Sequence, residues 1–236
     1  TSEVAHIFSN NSAFAALKND GSVVTWGDSD DGGNSTAVAS QLAGVVEVFS
    51  TEGGAFAALK HDGSVVTWGS GGSGGNSSTV ASQLTSGVVE IFTTQKAFAA
   101  LKTDGSLVTW GSGSYGSNSS AVASQLSSEV VRVFSTNQAF AALKTDGSLV
   151  TWGPGNGGDS SSVASQLTGN VGGAFSTEKA FAALKSGDSF VTRLEEANGT
   201  LVAQIVRPFP GNYEFTVPNG GTFRVKTFRD LNGNNQ

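Results

Sequence analysis

Residues 97–111 read AFAALKTDGSLVTWG, residues 139–153 repeat that text unchanged, and near copies begin at Ala13 and Ala55. The only tryptophans, Trp26, Trp68, Trp110 and Trp152, recur every 42 residues, which sets the length of one structural unit. A fifth copy opens at Ala180 and departs after Lys185. Where the others read Thr-Trp-Gly it reads Thr192-Arg193-Leu194. The array therefore comprises four full units and one partial unit.

Within a unit, residues 88–94 (VVEIFTT) and 106–110 (SLVTW) are rich in β-branched and aromatic side chains and read as strands. Residues 97–102 form a third apolar run, joined to the next by Asp104-Gly105, a dipeptide suited to the positive φ of a tight hairpin. The same pairs recur as Asp20-Gly21, Asp62-Gly63 and Asp146-Gly147, and they read as turn geometry rather than as a ring of functional carboxylates. A Gly/Ser loop then leads into residues 118–126 (NSSAVASQL), either a last strand or one helical turn capped by Asn118 or Ser119.

So few short strands cannot bury both faces of a sheet, so each unit must stack on its neighbours. A ring of blades and a linear β-solenoid both achieve this. The ring is favoured because Phe49, Phe92, Phe134 and the four Trp lie in the first and third strands. The middle strand is mostly alanine around one Phe (Phe14, Phe56, Phe98, Phe140, Phe181), as space narrowing toward an axis would require. Each seam then receives a Trp and two Phe, at about 1.5 to 3 kcal/mol per fully buried large side chain before chain entropy is subtracted. The reading is all-β: a propeller-like array over residues 1–193, then a β-meander or the start of a sandwich module over 194–236.

The order Ala58-Leu59-Lys60, Asp62-Gly63-Ser64-Val65-Val66-Thr67-Trp68-Gly69, then a Gly-rich loop and Ser86-Gly87-Val88, resembles the repeat of the regulator of chromosome condensation family. It is closest to the short-repeat bacterial branch typified by the propeller-type β-lactamase inhibitor. The resemblance covers residues 3–192 and implies a β-propeller. The Gly-His that the family places before its Ala-Leu strand, and the Gly-Gln after Trp-Gly, are absent here, so chromosome condensation is not implied. In the tail, strands are expected at 200–206, 213–217 and 222–228, separated by Pro/Gly/Asn-rich turns. The text from Tyr213 to Asn234 is similar to prealbumin-like sandwich modules of bacterial surface proteins.

Composition narrows the function. The chain of 236 residues carries only 14% charged residues, a net charge of −6 and 32 glycines. No basic surface is concentrated enough for a nucleic-acid partner. No apolar run approaches the roughly 20 residues needed to cross a bilayer, so membrane insertion is not expected. Cysteine is absent, which excludes disulfides and thiolate metal sites. Methionine is absent too, so a leader or longer precursor is expected to precede Thr1.

Catalytic chemistry finds no residues to carry it. The only histidines are His6, in a strand position held by Glu90 or Arg132 in other copies, and His61, in the variable turn position. Neither has a repeated Ser, Cys or Asp partner, so an enzyme is not expected. The acidic run Asp28-Ser29-Asp30-Asp31 has no acidic counterpart in later copies and reads as a solvated loop. Asp230, Asn232 and Asn234 occupy the first, third and fifth places of a calcium loop, without its glycine or its closing acid, and make calcium the one cofactor the sequence suggests. Sequons at Asn34, Asn76, Asn118 and Asn198 become acceptor sites only in a secreted eukaryotic protein.

Two function classes follow. The first is a non-enzymatic structural or adhesive module of an extracellular or cell-surface bacterial protein that binds proteins or copies of itself. The alternative is a specific protein-binding propeller, as the inhibitor resemblance implies. Specific binders concentrate Tyr, Trp and Arg at hot spots. Tyr115 is the one such aromatic in the loops, which favours the first class.

Overall fold

In the computed structural model of the chain, residues 3–155 and 157–185 are described in full, together with the backbones of 189–196, 201–207 and 223–230. Three antiparallel strands form the first blade: β1 (Val4–Ser9), β2 (Ala13–Lys18) and β3 (Val23–Gly27). The second comprises β4 (Val45–Thr51), β5 (Ala55–Lys60) and β6 (Val65–Gly69). The third is built from β7 (Val88–Thr93), β8 (Ala97–Lys102) and β9 (Leu107–Gly111), and the fourth from β10 (Val130–Ser135), β11 (Phe140–Lys144) and β12 (Leu149–Trp152). The fifth sheet has two strands, β13 (Val171–Ser176) and β14 (Phe181–Lys185). Among the described residues, β1 to β14 pair only within their own unit. A solenoid would instead pair each strand with its copy in the next unit, so the array is propeller-like.

Each Asp-Gly turn is a three-residue loop. In the second blade Lys60 N–H donates to Ser64 O at 2.9 Å and Gly63 adopts φ +73°, the left-handed conformation that closes the hairpin. The Asp62 carboxylate accepts the backbone N–H of Ser64 at 3.0 Å and its hydroxyl at 2.6 Å. The same geometry recurs at Asp20, Asp104 and Asp146. Gly63 is also crowded: a Cβ there would lie 2.7 Å from the amide nitrogen of Gly87, so two turns of consecutive units pass too closely for a side chain.

The segment with two readings is a helical turn. Residues Ser120–Gln125 form a 3-10 helix, as do Thr36–Gln41, Ser78–Gln83 and Ser161–Gln166. Asn118 caps it, accepting from the Ser120 amide at 3.2 Å and hydroxyl at 2.7 Å, whereas Ser119 makes no capping bond. The turn ends by burying a leucine (Leu42, Leu84 or Leu126) against the core. Leu84 O and Leu126 O then accept the amides of Val65 and Leu107, at 2.9 Å each, in the third strands.

Strand alternation sends one face of each blade to its predecessor and the other to its successor. Ala13, Ala15 and Leu17 of the first blade share a core with Val45, Val48, Phe56, Ala58, Val66 and Trp68 of the second. The next two seams repeat this set with Phe98 and Trp110, then Phe140 and Trp152. Alanine therefore has a different cause from the one expected. First strands approach one another from blade to blade (β1 with β4, β4 with β7, β7 with β10, β10 with β13), so the narrowing lies there. The alanines of the middle strand make room for the next blade's Phe–Trp pair.

Backbone bonds lock the spacing. Val45, Val88, Val130 and Val171 donate to the carbonyls of Gly21, Gly63, Gly105 and Gly147 in the preceding blade, at 2.8 to 3.0 Å. At the opposite rim Gly53 donates to Gln95 O, Gln95 to Asn137 O and Asn137 to Glu178 O, at 2.9 to 3.0 Å.

The tail forms a sixth sheet. Its strands β15 (Ser189–Glu196), β16 (Leu201–Arg207) and β17 (Phe223–Asp230) lie in the order β16-β15-β17, all pairs antiparallel. β16 and β17 fall where two of the tail strands were expected, and 213–217 lies outside the described residues. The 193/194 boundary falls inside β15. This strand is in sequence the third strand of the fifth unit, yet it pairs with the tail and not with β14.

Candidate functional site

The repeated aromatic residues form one device. Phe56 and Trp68 face each other across β5 and β6 and stack with centroids 5.3 Å apart and planes 16° from parallel. Phe98–Trp110 and Phe140–Trp152 repeat the stack at 5.1 Å and 5.5 Å. Each indole Nε1 reaches into the preceding blade: Trp68 donates to Gly32 O at 3.0 Å, Trp110 to Gly74 O at 3.0 Å and Trp152 to Gly116 O at 2.9 Å. The Phe rings of all three pairs are fully buried and the indoles nearly so.

The first blade carries the same pair, Phe14 and Trp26, stacked at 5.3 Å, but among the described residues no blade covers it. Phe14 is 42% and Trp26 43% exposed, and Val4, Ile7 and Val24 on that sheet are exposed as well. At the other end Phe175 is 64% exposed, and Ala180 and Ala182 are exposed. Their copies Phe49, Phe92 and Phe134 pack into seams. Among the described residues, neither end face covers the other. Together they present the two halves of one internal seam.

The remaining loops are polar. Ser50, Glu52, Thr94, Gln95, Thr136, Asn137 and Glu178 border the rim near the first strands. Tyr115 does not stand on a rim: its ring is partly buried against the third seam, with Lys96 Nζ 5.3 Å from its centroid, and Thr94 Oγ1 donates to its carbonyl at 2.7 Å. His6 is exposed, 6.3 Å from the ring of Phe8, and His61 is exposed in its turn, where its amide donates to Gly44 O at 3.0 Å. In the acidic loop, the Asp28 carboxylate accepts the amide of Asp30 at 2.9 Å and Asp31 O accepts from Asn10 Nδ2 at 2.8 Å. Among the described residues no three His, Cys, Asp or Glu side chains converge as metal ligands. Asp230 ends β17, whereas Asn232 and Asn234 lie outside the described residues.

Hydrogen bonding favours the ionised form of the turn carboxyls. The Ser64, Ser106 and Ser148 hydroxyls, then their amides, hold the carboxyls of Asp62, Asp104 and Asp146 below the ordinary value of 3.8. Asp159 is lowered first by the backbone amide of Ser161 and then by its hydroxyl.

Sequence reasoning missed the threonine before each tryptophan. Thr25, Thr67, Thr109 and Thr151 each donate to a loop carbonyl (Gly33, Gly75, Ser117 and Gly158) at 2.7 to 3.1 Å, tying the third strand to the connector that carries the indole acceptor for the next blade. The signal was present as an unvarying Thr beside each Trp. It reads as ordinary strand composition until the connector is seen to fold back on it.

No family model matches the chain, and no curated protein matches it. Its backbone is similar to several solved structures. One is human WBSCR16, with a TM-score of 0.43 and 20% identity over 65% of this chain and 48% of that one. Another is yeast RCC1 (Prp20) bound to Kap60, with a TM-score of 0.45 and 15% identity over 66% and 45%. A third is Prp20p from Saccharomyces cerevisiae, solved with a study of its binding to Gsp1p and histones, with a TM-score of 0.43 and 17% identity over 64% and 43%. The chain spans less than half the length of each of these structures.

Proposed function

We propose that the chain is a non-enzymatic structural or adhesive repeat module that works through protein contact, and that copies meet end to end. The observation carrying this reading is the exposure of the Phe14–Trp26 pair, whose counterparts are fully or almost fully buried in every later full blade. An uncovered apolar face rimmed by polar residues marks an interaction site. The surface that covers this pair in each internal seam, alanines and a leucine beside a partly buried Phe, is presented by the fifth blade through Ala180, Ala182, Leu184 and Phe175. A contact between unlike faces propagates from copy to copy unless its rotation closes. The low charge, the Gly/Ser-rich loops and the tail's similarity to surface-protein modules support an extracellular or cell-surface setting in a bacterial protein.

Sedimentation velocity across a hundredfold dilution series tests this. Species heavier than the 23.9 kDa chain should appear with rising concentration, and Phe14→Asp should remove them. A single species of chain mass at every concentration overturns the reading.

A further inference from the structure

The seam between the fourth and fifth blades is built like the three before it but lacks one part. On the fifth-blade side β14 keeps the repeat register. A Cβ on Gly157 would lie 3.0 Å from the Phe181 ring, matching Gly32 against Phe56 at 2.7 Å and Gly116 against Phe140 at 2.9 Å. On the fourth-blade side Leu149 and Leu167 stand where Leu107 and Leu126 receive Val150 and Trp152 in the preceding seam. Among the described residues, no third strand pairs with β14. β14 ends a two-stranded sheet because β15, with Arg193 at the tryptophan position, pairs instead with β16 and β17. The seat it leaves is an open groove of about 480 Å³ lined by Leu149, Val163, Leu167, Phe181 and Ala183 among others. Phe181 is only partly buried and Ala183 is exposed, whereas Phe140 and Ala142 are fully buried.

We propose that this groove accepts an extended peptide strand from a partner protein, added antiparallel to β14, with a tryptophan stacked on Phe181 and aimed at the carbonyl of Gly157. The three occupied seams define the occupant's chemistry. In each, the third strand supplies main-chain bonds to the middle strand, places Val and Trp two residues apart on the face toward the preceding blade, and donates its indole N–H to the loop glycine. Strand addition to a free sheet edge draws affinity from the main chain and specificity from alternate side chains, so the peptide should read Val-x-Trp, with a small residue after the Trp. Lys185, which also lines the groove, donates to the carbonyls of Gln166 and Gly169. Of the end-face residues through which copies are proposed to meet, the groove lining includes Ala180 alone.

The test uses a fluorescein-labelled peptide of the sequence Asp-Gly-Ser-Leu-Val-Thr-Trp-Gly, which the chain itself carries at 146–153, titrated with the full chain and read by anisotropy. Saturable binding is expected, at least tenfold weaker for the Trp→Ala peptide and for the protein variant Val163→Asp. Val163 is 39% exposed, so its change leaves the core intact. Arg193→Trp should also weaken binding by supplying the chain's own β15 with the missing anchor. Phe14→Asp should leave binding unchanged while abolishing self-association, which separates this proposal from the end-to-end reading. No binding up to about 1 mM peptide, equal binding of the Trp→Ala peptide, or unaltered binding by Val163→Asp overturns it.

Discussion

Trp110 Nε1 donates to the carbonyl oxygen of Gly74 at 3.0 Å, joining the third blade to the loop of the second. The bond lies inside a seam where Trp110 is 3% exposed and Phe98 fully buried. One residue thus supplies apolar area, a stacked ring and a directed bond to its neighbour.

Removing that ring should be costly. Trp68→Ala and Trp110→Ala should each lower stability by roughly 3 to 5 kcal/mol, the range for large aromatic truncations in a core. Trp26→Ala should cost distinctly less, because its ring is 43% exposed. Urea titrations of the three variants check the order, and equal midpoints for Trp110→Ala and wild type would contradict the seam.

Glycines in the connectors divide sharply. Gly74 sits at φ +106° and a Cβ there would lie 2.5 Å from the Phe98 ring, whereas a Cβ on nearby Gly72 meets nothing within 4 Å. Gly74→Ala should therefore destabilise by more than the roughly 1 to 2 kcal/mol charged for a left-handed non-glycine residue alone. Gly72→Ala should be close to neutral. Thermal melting of the pair gives a comparison within one loop.

Acid should loosen the turns. The carboxyls of Asp62, Asp104 and Asp146 are held below 3.8 by serine hydroxyls and amides, so their folded pKa values are depressed relative to the unfolded chain. Their contribution is complete above the ordinary carboxylate range and is lost as pH falls through the folded values. Stability should decline below about pH 4, and the triple Asp→Asn variant should show a shallower decline. Urea midpoints from pH 6 to pH 2.5 measure it, and parallel curves would remove the turns as a cause.

Tryptophan emission reports the open end. A variant retaining only Trp26, with Phe at the other three positions, should emit at longer wavelength and be quenched more by acrylamide than one retaining only Trp110. Its emission should shift to the blue with protein concentration if the first blade docks on a second copy. A concentration-independent spectrum would show that the face stays in water.

Period, strand composition and turn chemistry were legible in the text. The 42-residue spacing of tryptophan, the β-branched runs and the four Asp-Gly pairs specify repeated antiparallel units of three or four strands, because each of these features acts over a few neighbouring residues. Tertiary structure decided what depends on contacts between units. Alanine in the middle strand answers the bulk of the next blade's Phe–Trp pair. The connector becomes a 3-10 turn because its leucine is buried against that seam. Phe14 is exposed and Phe56 buried, although both lie in the same AFAALK text, because only the second has a blade in front of it. The fate of the fifth unit's third strand is decided in the same way. Without tryptophan at Arg193 it lacks the anchor of the seam, and β16 and β17 offer it main-chain partners along both edges.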